Sequence, residues 1–322
     1  MSEHLDTPER LLVAIGGNAF HPGDIEGTVE QQVDIAAHTG DSLLPIMQMD
    51  NELIITHGNG PVVGKILMRQ VLARKEVVPM TLDICVAHSQ GGIAYLLMQA
   101  LENALREAGN QRHAVCLLTQ VEVDADDPAF KNPSKPIGYF YNEEQARDLE
   151  ERLGWIMIED AGRGWRQVVA SPMPKHVCDI SLIDTVAKSG AIAIAGGGGG
   201  IPVTRGPKGA RHGIEAVIDK DLTSALMANV LDIEVMMILT AVPRIAIDFG
   251  TPKERHLGEV SLAEMRTYHA EGQFPAGSMG PKVEAAIRFL EGGGKRVIIG
   301  DLEEAMLALR GESGTHVVAG DG

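Results

Sequence analysis

The 322-residue sequence lacks several features that mark particular classes of protein. It has no uninterrupted apolar run near the roughly 18 residues that a membrane-spanning helix needs. Its N-terminal residues, MSEHLDTPER, contain neither the apolar core of a signal peptide nor an Arg-rich amphipathic pattern. We therefore expect a cytoplasmic protein with no membrane partner. The three cysteines, Cys85, Cys116 and Cys178, are far apart and form no CxxC pair, so we expect buried, reduced thiols.

Basic residues and several well-known site motifs are also scarce. The 28 Lys and Arg residues against 44 Asp and Glu residues give a formal net charge of −16. A general nucleic-acid binder needs basic surface, so we expect no nucleic-acid partner. A small anionic ligand remains compatible with this charge, because the residues that line a pocket set its local field. The sequence has no HExxH motif, no Cys/His cluster and no GxSxG elbow, so we expect no protein-held transition metal.

Short apolar runs that alternate with amphipathic stretches make up most of the sequence. The runs at residues 11–15, 53–56, 191–195 and 235–240 are typical of buried strands, and residues 89–107 have helical periodicity. Continuous apolar strands between helices indicate a parallel sheet that is covered on both faces. The predicted fold class is therefore α/β, a three-layer α/β/α sandwich with an open, mainly parallel sheet.

One stretch breaks this alternation. Residues 124–176 are rich in Pro and polar turns, and the runs that begin at Trp155 and Trp165 predict a β-hairpin. We predict a single domain over residues 1–322, with a small protruding lobe inserted at about 124–176. Residues 204–213 (TRGPKGARHG) are predicted to form a mobile loop.

Glycine is abundant, at 37 of 322 residues, and it clusters where predicted strands end. The clusters are Gly16-Gly17-Asn18, Gly58-Asn59-Gly60 and a run of five that includes Gly197 and Gly198. The carboxyl ends of parallel strands meet at one edge of a sheet, and glycine turns there let backbone N–H groups approach an anion. One such turn alone is equally typical of a structural connection, but several together favour an anion-binding site. Their spacing matches neither a P-loop nor a dinucleotide-binding fingerprint.

Three lysine-containing segments supply candidate catalytic groups. Lys220 is the centre of an Asp-Lys-Asp triplet (219–221) where a predicted strand meets a helix. Its ammonium could neutralise charge on a transferring phosphoryl group while a neighbouring carboxylate fixes its position. Lys282 lies in the first turn of a predicted helix, where the dipole disfavours a cation, so an anion is expected beside it. In the segment KNPSKPIG (131–138), spacing alone does not decide between Lys131 and Lys135.

Taken together, these motifs resemble those of the carbamate kinases, within the amino-acid-kinase superfamily, over roughly residues 11–318. The strings that carry the resemblance are AIGGNA, THGNGPVVG, SQGGIAY, LTQVEVDADDPAFKNPSKPIG, GGGGIPV, EAVIDKDLTSALMA, LTAV, GSMGPKVEAA and GTHVV. The resemblance implies reversible phosphoryl transfer between ATP and carbamate, giving ADP and carbamoyl phosphate. It implies Mg²⁺ held through the nucleotide phosphates, with no metal ligand from the protein. It also implies a homodimer. The implied physiological direction is catabolic, with ATP made from carbamoyl phosphate in arginine metabolism.

The resemblance also implies roles for individual residues. An acceptor-binding part at about 11–190 and a nucleotide-binding part at about 191–318 are expected. Lys135 would reach from the lobe onto the transferring group, since the GGN turn lacks the lysine that most amino-acid kinases carry there. Lys220 would bridge the donor and acceptor phosphates, and Asp221 would orient it. The other implied residues are Gly16, Gly17, Asn18, Gly58, Asn59 and Gly60 for the acceptor, and Gly197, Gly198, Ala241, Val242, Met279 and Lys282 for the nucleotide.

Four features depart from the pattern of that family. One is the string SQGG at residues 89–92, a variant of the helix that follows the second glycine turn. Val62 stands where Gln is usual, Lys65 stands where Asn is usual, and the segment 204–213 is longer and more basic. These departures leave the acceptor open, so a kinase for another small carboxylate or carbamoylated substrate is an alternative. A catalytically silent, nucleotide-binding regulator is the alternative outside enzymes.

Overall fold

The computed structural model describes residues 8–17, 25–160, 162–275, 277 and 279–320, and the structural statements below concern that part of the chain. The strands in this part are, in chain order, β1 (Arg10–Ile15), β2 (Glu52–His57), β3 (Ala114–Cys116), β4 (Gln120–Glu122), β5 (Lys135–Tyr141), β6 (Ile156–Glu159), β7 (Trp165–Val169), β8 (His176–Val177), β9 (Ile192–Ile194), β10 (Ile201–Arg205), β11 (Arg211–Gly213), β12 (Val235–Thr240), β13 (Ala246–Ile247), β14 (Arg255–His256), β15 (Glu259–Ser261), β16 (Arg296–Asp301) and β17 (Thr315–Val318).

Helices connect many of these strands. They are α1 (Val29–Met47), α2 (Gly60–Ala73), α3 (Leu82–Glu107), α4 (Glu143–Leu153), α5 (Ile180–Lys188), α6 (Lys220–Val230), α7 (Leu262–Ala270), α8 (Met279–Glu291) and α9 (Ala305–Leu309). Among the described residues, none of the helices combines the length and the hydropathy that crossing a lipid bilayer would need.

An eight-stranded sheet forms the centre of the molecule. Its strands lie in the order β15-β17-β16-β12-β1-β2-β9-β3. Neighbouring strands are parallel except for β16 and β17, which are antiparallel. In this register Leu12 of β1 lies between Met236 of β12 and Ile54 of β2. The predicted α/β fold class with a mainly parallel sheet is confirmed.

Helices cover both faces of this sheet, which explains why its central strands are apolar at successive positions. Leu12 and Ala14 of β1 belong to a buried cluster with residues of α6 and α8, such as Met227. Leu11 and Val13 point the other way, into a cluster with residues of α1, α3 and α9, such as Leu43. Because successive side chains of a strand alternate between the two faces, both sets must be apolar.

The lobe, defined here as β5, α4, β6 and β7, stands apart from the central sheet. Its strands form a separate antiparallel sheet in the order β5-β7-β6. The hairpin predicted around Trp155 and Trp165 is confirmed as β6 and β7. Helix α4 begins with a capping box, in which Asn142 and Gln145 satisfy each other's backbone N–H groups.

The prediction of a mobile loop at residues 204–213 is wrong. Strands β10 and β11 form an antiparallel hairpin over this stretch. Arg205 pairs with Glu122 at 2.6 Å and Arg211 pairs with Asp179 at 2.7 Å, so the hairpin is tied to the body of the molecule. Its Gly and Pro residues form the tight turn between the two strands.

Candidate active site

A cleft of about 1340 Å³ opens at the carboxyl ends of β1, β2 and β12, beneath strand β5 of the lobe. The predicted site residues that line it are Gly16, Gly17, Gly58, Asn59, Gly60, Lys135, Gly198, Lys220, Asp221, Ala241, Val242, Met279 and Lys282. Asn18 lies outside the described residues. Gly197 is buried beside His57, and its carbonyl accepts a hydrogen bond from the Gln90 side chain at 2.8 Å. The structure thus brings residues from distant parts of the sequence to one edge of the sheet, as parallel-sheet topology predicts.

The first two glycine turns touch each other through their backbones. Gly16 donates its N–H to the Leu239 carbonyl at 3.0 Å and Gly58 donates to the Ile15 carbonyl at 2.9 Å, so each turn continues the ladder of the sheet. A Cβ atom on Gly58 would lie 2.6 Å from the backbone nitrogen of Gly17. Such a contact excludes any side chain at Gly58, and it leaves bare backbone facing the cleft.

The third glycine turn closes against the second. Gly198 has a left-handed φ of 64°, and a Cβ atom there would lie 2.1 Å from Nδ2 of Asn59. The same Nδ2 donates to Ser89 Oγ at 2.8 Å, so the Asn59 side chain is anchored to α3. The Thr223 hydroxyl donates to the Gly199 carbonyl at 2.8 Å and fixes the turn to α6. A side chain at Gly58 or Gly198 would clash with its neighbours, and the backbone of both glycines lines the cleft.

Three lysines and two aspartates meet at the start of α6. Asp219 caps this helix, since its Oδ1 accepts from the backbone N–H of Asp221 at 2.9 Å. Its other oxygen, Oδ2, accepts from Lys135 Nζ of the lobe at 2.5 Å. Asp221 lies 2.6 Å from Lys220 Nζ through Oδ1 and 3.4 Å from Lys282 Nζ through Oδ2. Three ammonium groups against two carboxylates leave one net positive charge beside the glycine turns, which suits an anionic ligand.

Burial and charge shift the pKa values of this cluster. Burial would raise the pKa of the Asp221 carboxyl, but Lys220 and Lys282 outweigh burial and lower that pKa to about 2. Burial lowers the pKa of Lys220, and Asp221 offsets this effect only in part. Burial opposes the charge of Lys282 as well, but Asp221 and Asp219 raise its pKa above the ordinary value. Asp221 is therefore ionised at neutral pH and attracts both neighbouring ammonium groups.

His57, at the end of β2, lies directly behind the glycine turns. The ring is 1% exposed, and burial, aided by the nearby charge of Lys220, lowers its pKa to about 4. Its Nδ1 lies 3.1 Å from the Gly58 carbonyl, so the neutral ring with its proton on Nδ1 donates to that oxygen. A neutral ring avoids adding a fourth positive charge to the cluster.

Sequence reasoning gave no site role to Asp219, His57 or Gln90. The Asp219 side chain caps a helix and accepts from Lys135, which is 84 positions away in the sequence. An Asp directly before a helical pattern is a recognisable cap signal, but its long-range partner has no local signal.

The two substitutions relative to the family pattern have different surroundings. Val62 packs against the apolar cluster of α1 and α3. Lys65 lines the cleft, donates from Nζ to the Glu26 carbonyl at 2.7 Å and lies 5.0 Å from the centre of the Tyr139 ring. Of the two, Lys65 is therefore the residue that can influence what enters the cleft.

Comparisons with known proteins find similar sequences and similar folds. The amino acid kinase family matches residues 9–301 of the chain. The carbamate kinase of Pyrococcus horikoshii is 45% identical over 312 residues, which cover 96% of this chain and 99% of that protein. The carbamate kinase of Giardia lamblia bound to citric acid superposes with a TM-score of 0.93 at 38% identity, covering 99% of this chain and all of that chain. The same enzyme bound to AMP-PNP gives a TM-score of 0.87 at 39% identity with the same coverage of both chains.

Proposed function

The chain belongs to the amino acid kinase family, and we propose that it catalyses reversible phosphoryl transfer between ATP and carbamate, giving ADP and carbamoyl phosphate. The observation that carries this function is the convergence of Lys135, Lys220 and Lys282 on two carboxylates beside the glycine turns. Such an arrangement stabilises a phosphoryl group in transfer mainly by positioning and by charge neutralisation.

We propose that the acceptor binds at the first two glycine turns. Gly17 and Gly60 line the cleft with backbone that has no side chain in the way, Gly58 lets the two turns meet closely, and Asn59 adds an anchored side chain. Helix α2 begins at Gly60, so its positive dipole end also faces this region. Asn18 is assigned to the same group on the family resemblance alone.

The lysines would act on the phosphoryl group itself. In the direction of carbamoyl phosphate formation, a carbamate oxygen forms a bond to the γ-phosphorus of ATP while the bond from that phosphorus to the bridging β-phosphate oxygen breaks, and ADP leaves. Lys135 would contact the transferring group from the lobe, and Lys220 would lie between the donor and acceptor oxygens. Asp221 would hold Lys220 in place. This scheme calls for no covalent enzyme intermediate.

The nucleotide would occupy the half of the cleft formed by the loop after β12 and the start of α8. Ala241, Val242 and Met279 line this half with apolar atoms that suit an adenine ring. Lys282 lies in the first turn of α8 and would meet the nucleotide phosphates, together with Gly198 and the buried Gly197 of the third turn. We also propose that residues at about 11–190 form the acceptor-binding part and residues at about 191–318 form the nucleotide-binding part.

We propose that Mg²⁺ enters with the nucleotide. Within the described residues, no group of three or more His, Cys, Asp or Glu side chains could hold a metal ion. Asp219 and Asp221 already pair with lysines, so the phosphate oxygens of ATP or ADP would supply the main ligands, in keeping with the oxygen preference of Mg²⁺. The bound ion would supply additional neutralisation of phosphate charge.

A homodimer through the β3 edge of the sheet is also proposed. β3 is the last strand in the order of the central sheet, and helix α3 contacts it. Three large apolar side chains here face solvent: Tyr95 is 61% exposed, Val115 37% and Leu118 65%. An apolar sheet edge of this kind favours pairing with a second copy. Sedimentation analysis should show a dimer that Leu118→Glu dissociates without unfolding; a monomeric parent protein would contradict it.

We also propose that the protein works in the cytoplasm. The three cysteines are free, with Cys85 and Cys178 buried, which is usual in a reducing compartment such as the cytoplasm. We propose use in the catabolic direction, with ATP as the product of carbamoyl phosphate breakdown in arginine metabolism.

The decisive experiment measures ATP formation from carbamoyl phosphate and ADP in the presence of Mg²⁺. Robust turnover is expected; a folded protein without turnover would contradict the proposal.

The main alternative is a kinase for another small carboxylate, which Lys65 at the cleft favours. Profiling ADP release from ATP with a set of small carboxylates separates the two, since a preferred acceptor other than carbamate would replace our assignment. Nucleotide binding without turnover on any acid would instead indicate a regulator.

A further inference from the structure

Lys135 belongs to the lobe, whereas its partner Asp219 belongs to the main body. The ammonium reaches the carboxylate at 2.5 Å only while strand β5 stays in place above the cleft. Because a displacement of about 1 Å at a reacting group can cost about 10²-fold in rate, whatever fixes β5 affects catalysis. The contacts that fix this strand are therefore of functional interest.

Strand β5 rests on helix α2 through two glycines. A Cβ atom on Gly64 of α2 would lie 2.0 Å from the Cα atom of Gly138 of β5, so the two backbones are in direct contact. Gly138 has a left-handed φ of 74°, and the pairing of β5 with β7 shifts register between Ile137 and Tyr141. Gly138 is thus a bend in the strand, three residues beyond Lys135, and it is pressed against α2.

Arg166 of β7 holds this bend from the other side. Its side chain is 13% exposed, and its Nη2 donates to the Gly138 carbonyl at 3.3 Å. Its Nη1 donates to Asp160 Oδ2 at 3.2 Å, and its guanidinium lies 5.0 Å from the centre of the Phe140 ring. A planar guanidinium with fixed donors can bridge a backbone carbonyl and a carboxylate in one orientation.

Arg163 offers a natural comparison. It donates to Asp160 Oδ1 at 2.9 Å and lies 5.0 Å from the same Phe140 ring, but its side chain is 54% exposed. The hydrogen bond to Gly138 belongs to Arg166. The two arginines therefore share a carboxylate and a ring, and they differ in the contact with the bend of β5.

We propose that Arg166 is a positioning residue for the phosphoryl transfer, which acts by holding the Gly138 bend of β5 against Gly64 so that the Lys135 ammonium stays over the reacting group. This inference rests on the proposed function, because it assigns Arg166 an effect only through Lys135. Asp160 orients the guanidinium, and Arg163 continues to neutralise Asp160 when Arg166 is removed.

The first test compares Arg166→Met with Arg163→Met in the assay of ATP formation. We expect Arg166→Met to lower kcat by about 10- to 100-fold. KM for ADP should stay close to that of the parent, because the nucleotide half of the cleft is formed by other elements. Because Arg163 also lines the cleft, Arg163→Met controls for the loss of a positive charge there, and it should lower kcat by clearly less than Arg166→Met does. Equal effects of the two substitutions, or a normal kcat in Arg166→Met, would overturn the inference.

A double-mutant cycle shows whether the effect passes through Lys135. In a Lys135→Met background, Arg166→Met should lower kcat by less than about twofold further, since residues that act as one unit are not additive. Additive losses would mean that Arg166 acts independently of Lys135, and they would overturn the inference. A normal kcat in Lys135→Met alone would remove the proposed catalytic role of Lys135, and this inference with it, so the two failures are distinguishable.

A readout independent of turnover completes the test. A crystal structure of Arg166→Met should show Lys135 Nζ displaced from Asp219, and Gly64→Ala, which pushes on the bend from the other side, should do the same. Circular dichroism and thermal unfolding establish that each variant is folded. An undisturbed Lys135–Asp219 pair in both variants would contradict the inference.

Discussion

Replacement of Lys220 by Met removes the ammonium at the centre of the proposed site while keeping most of the side-chain volume. The change leaves Asp221 paired with Lys282 at 3.4 Å, so the remaining carboxylate is not left without a cation. The fold should therefore survive, and the main effect should fall on the transfer step.

The magnitude follows from how deeply Lys220 is buried. Its side chain is 8% exposed, so water screens its charge weakly. A unit charge about 4 Å from a phosphoryl oxygen contributes roughly 4 kcal/mol at an effective dielectric constant of about 20. Removal of one preorganised donor in other enzymes costs about 3–4 kcal/mol. We therefore expect a loss of about 3 kcal/mol in transition-state stabilisation, which is on the order of 10²-fold in kcat.

The assay is the initial rate of ATP formation from saturating carbamoyl phosphate and ADP with Mg²⁺. Lys188→Met is the matched control, because Lys188 is a helical lysine that pairs with Asp184 and is 55% exposed. The control should retain the parent rate. A rate for Lys220→Met within threefold of the parent, a limit of roughly 0.7 kcal/mol, would refute the reasoning.

Two further predictions concern the support of the site. Because burial lowers the pKa of His57 from 6.5 to about 4, the imidazole binds a proton more weakly in the folded chain than in the unfolded chain. The free energy of unfolding should therefore fall by up to about 3 kcal/mol as pH drops from about 6.5 to 4, and His57→Gln should flatten that slope in urea titrations. Gly198→Ala should cost more stability than Gly154→Ala, since both have φ near 65° but the new methyl group at 198 meets Asn59 at 2.1 Å while Gly154 has open space. An unchanged pH dependence of unfolding in His57→Gln would contradict the first prediction. Equal losses of stability in Gly198→Ala and Gly154→Ala would contradict the second.

The sequence contains local signals for much of the fold. Strands such as β1 are apolar at successive positions because both faces of the sheet are covered, so the pattern is visible over five or six residues. The glycine turns at residues 16–17 and 58–60 follow those strands directly, and parallel topology then predicts that they meet. This is why the sheet and the edge that forms the cleft could be predicted.

Other features depend on contacts between distant segments. The pairing of Lys135 with Asp219 spans 84 positions, and spacing alone did not distinguish Lys135 from Lys131. The contact of Gly64 with Gly138 joins a helix to the lobe, and nothing near either glycine indicates the other. The low pKa of His57 arises from burial behind the third turn, which is known only once that turn is placed.

The central claim is that a phosphoryl group passes between nucleotide and acceptor at the point where the three lysines meet. A crystal structure of the protein with ADP and Mg²⁺ tests this most directly, through the distances from the β-phosphate oxygens to Lys220 Nζ and Lys282 Nζ. We predict hydrogen-bond distances to both, with the adenine beside Ala241 and Val242. An ADP molecule whose phosphates point away from both lysines would contradict the account.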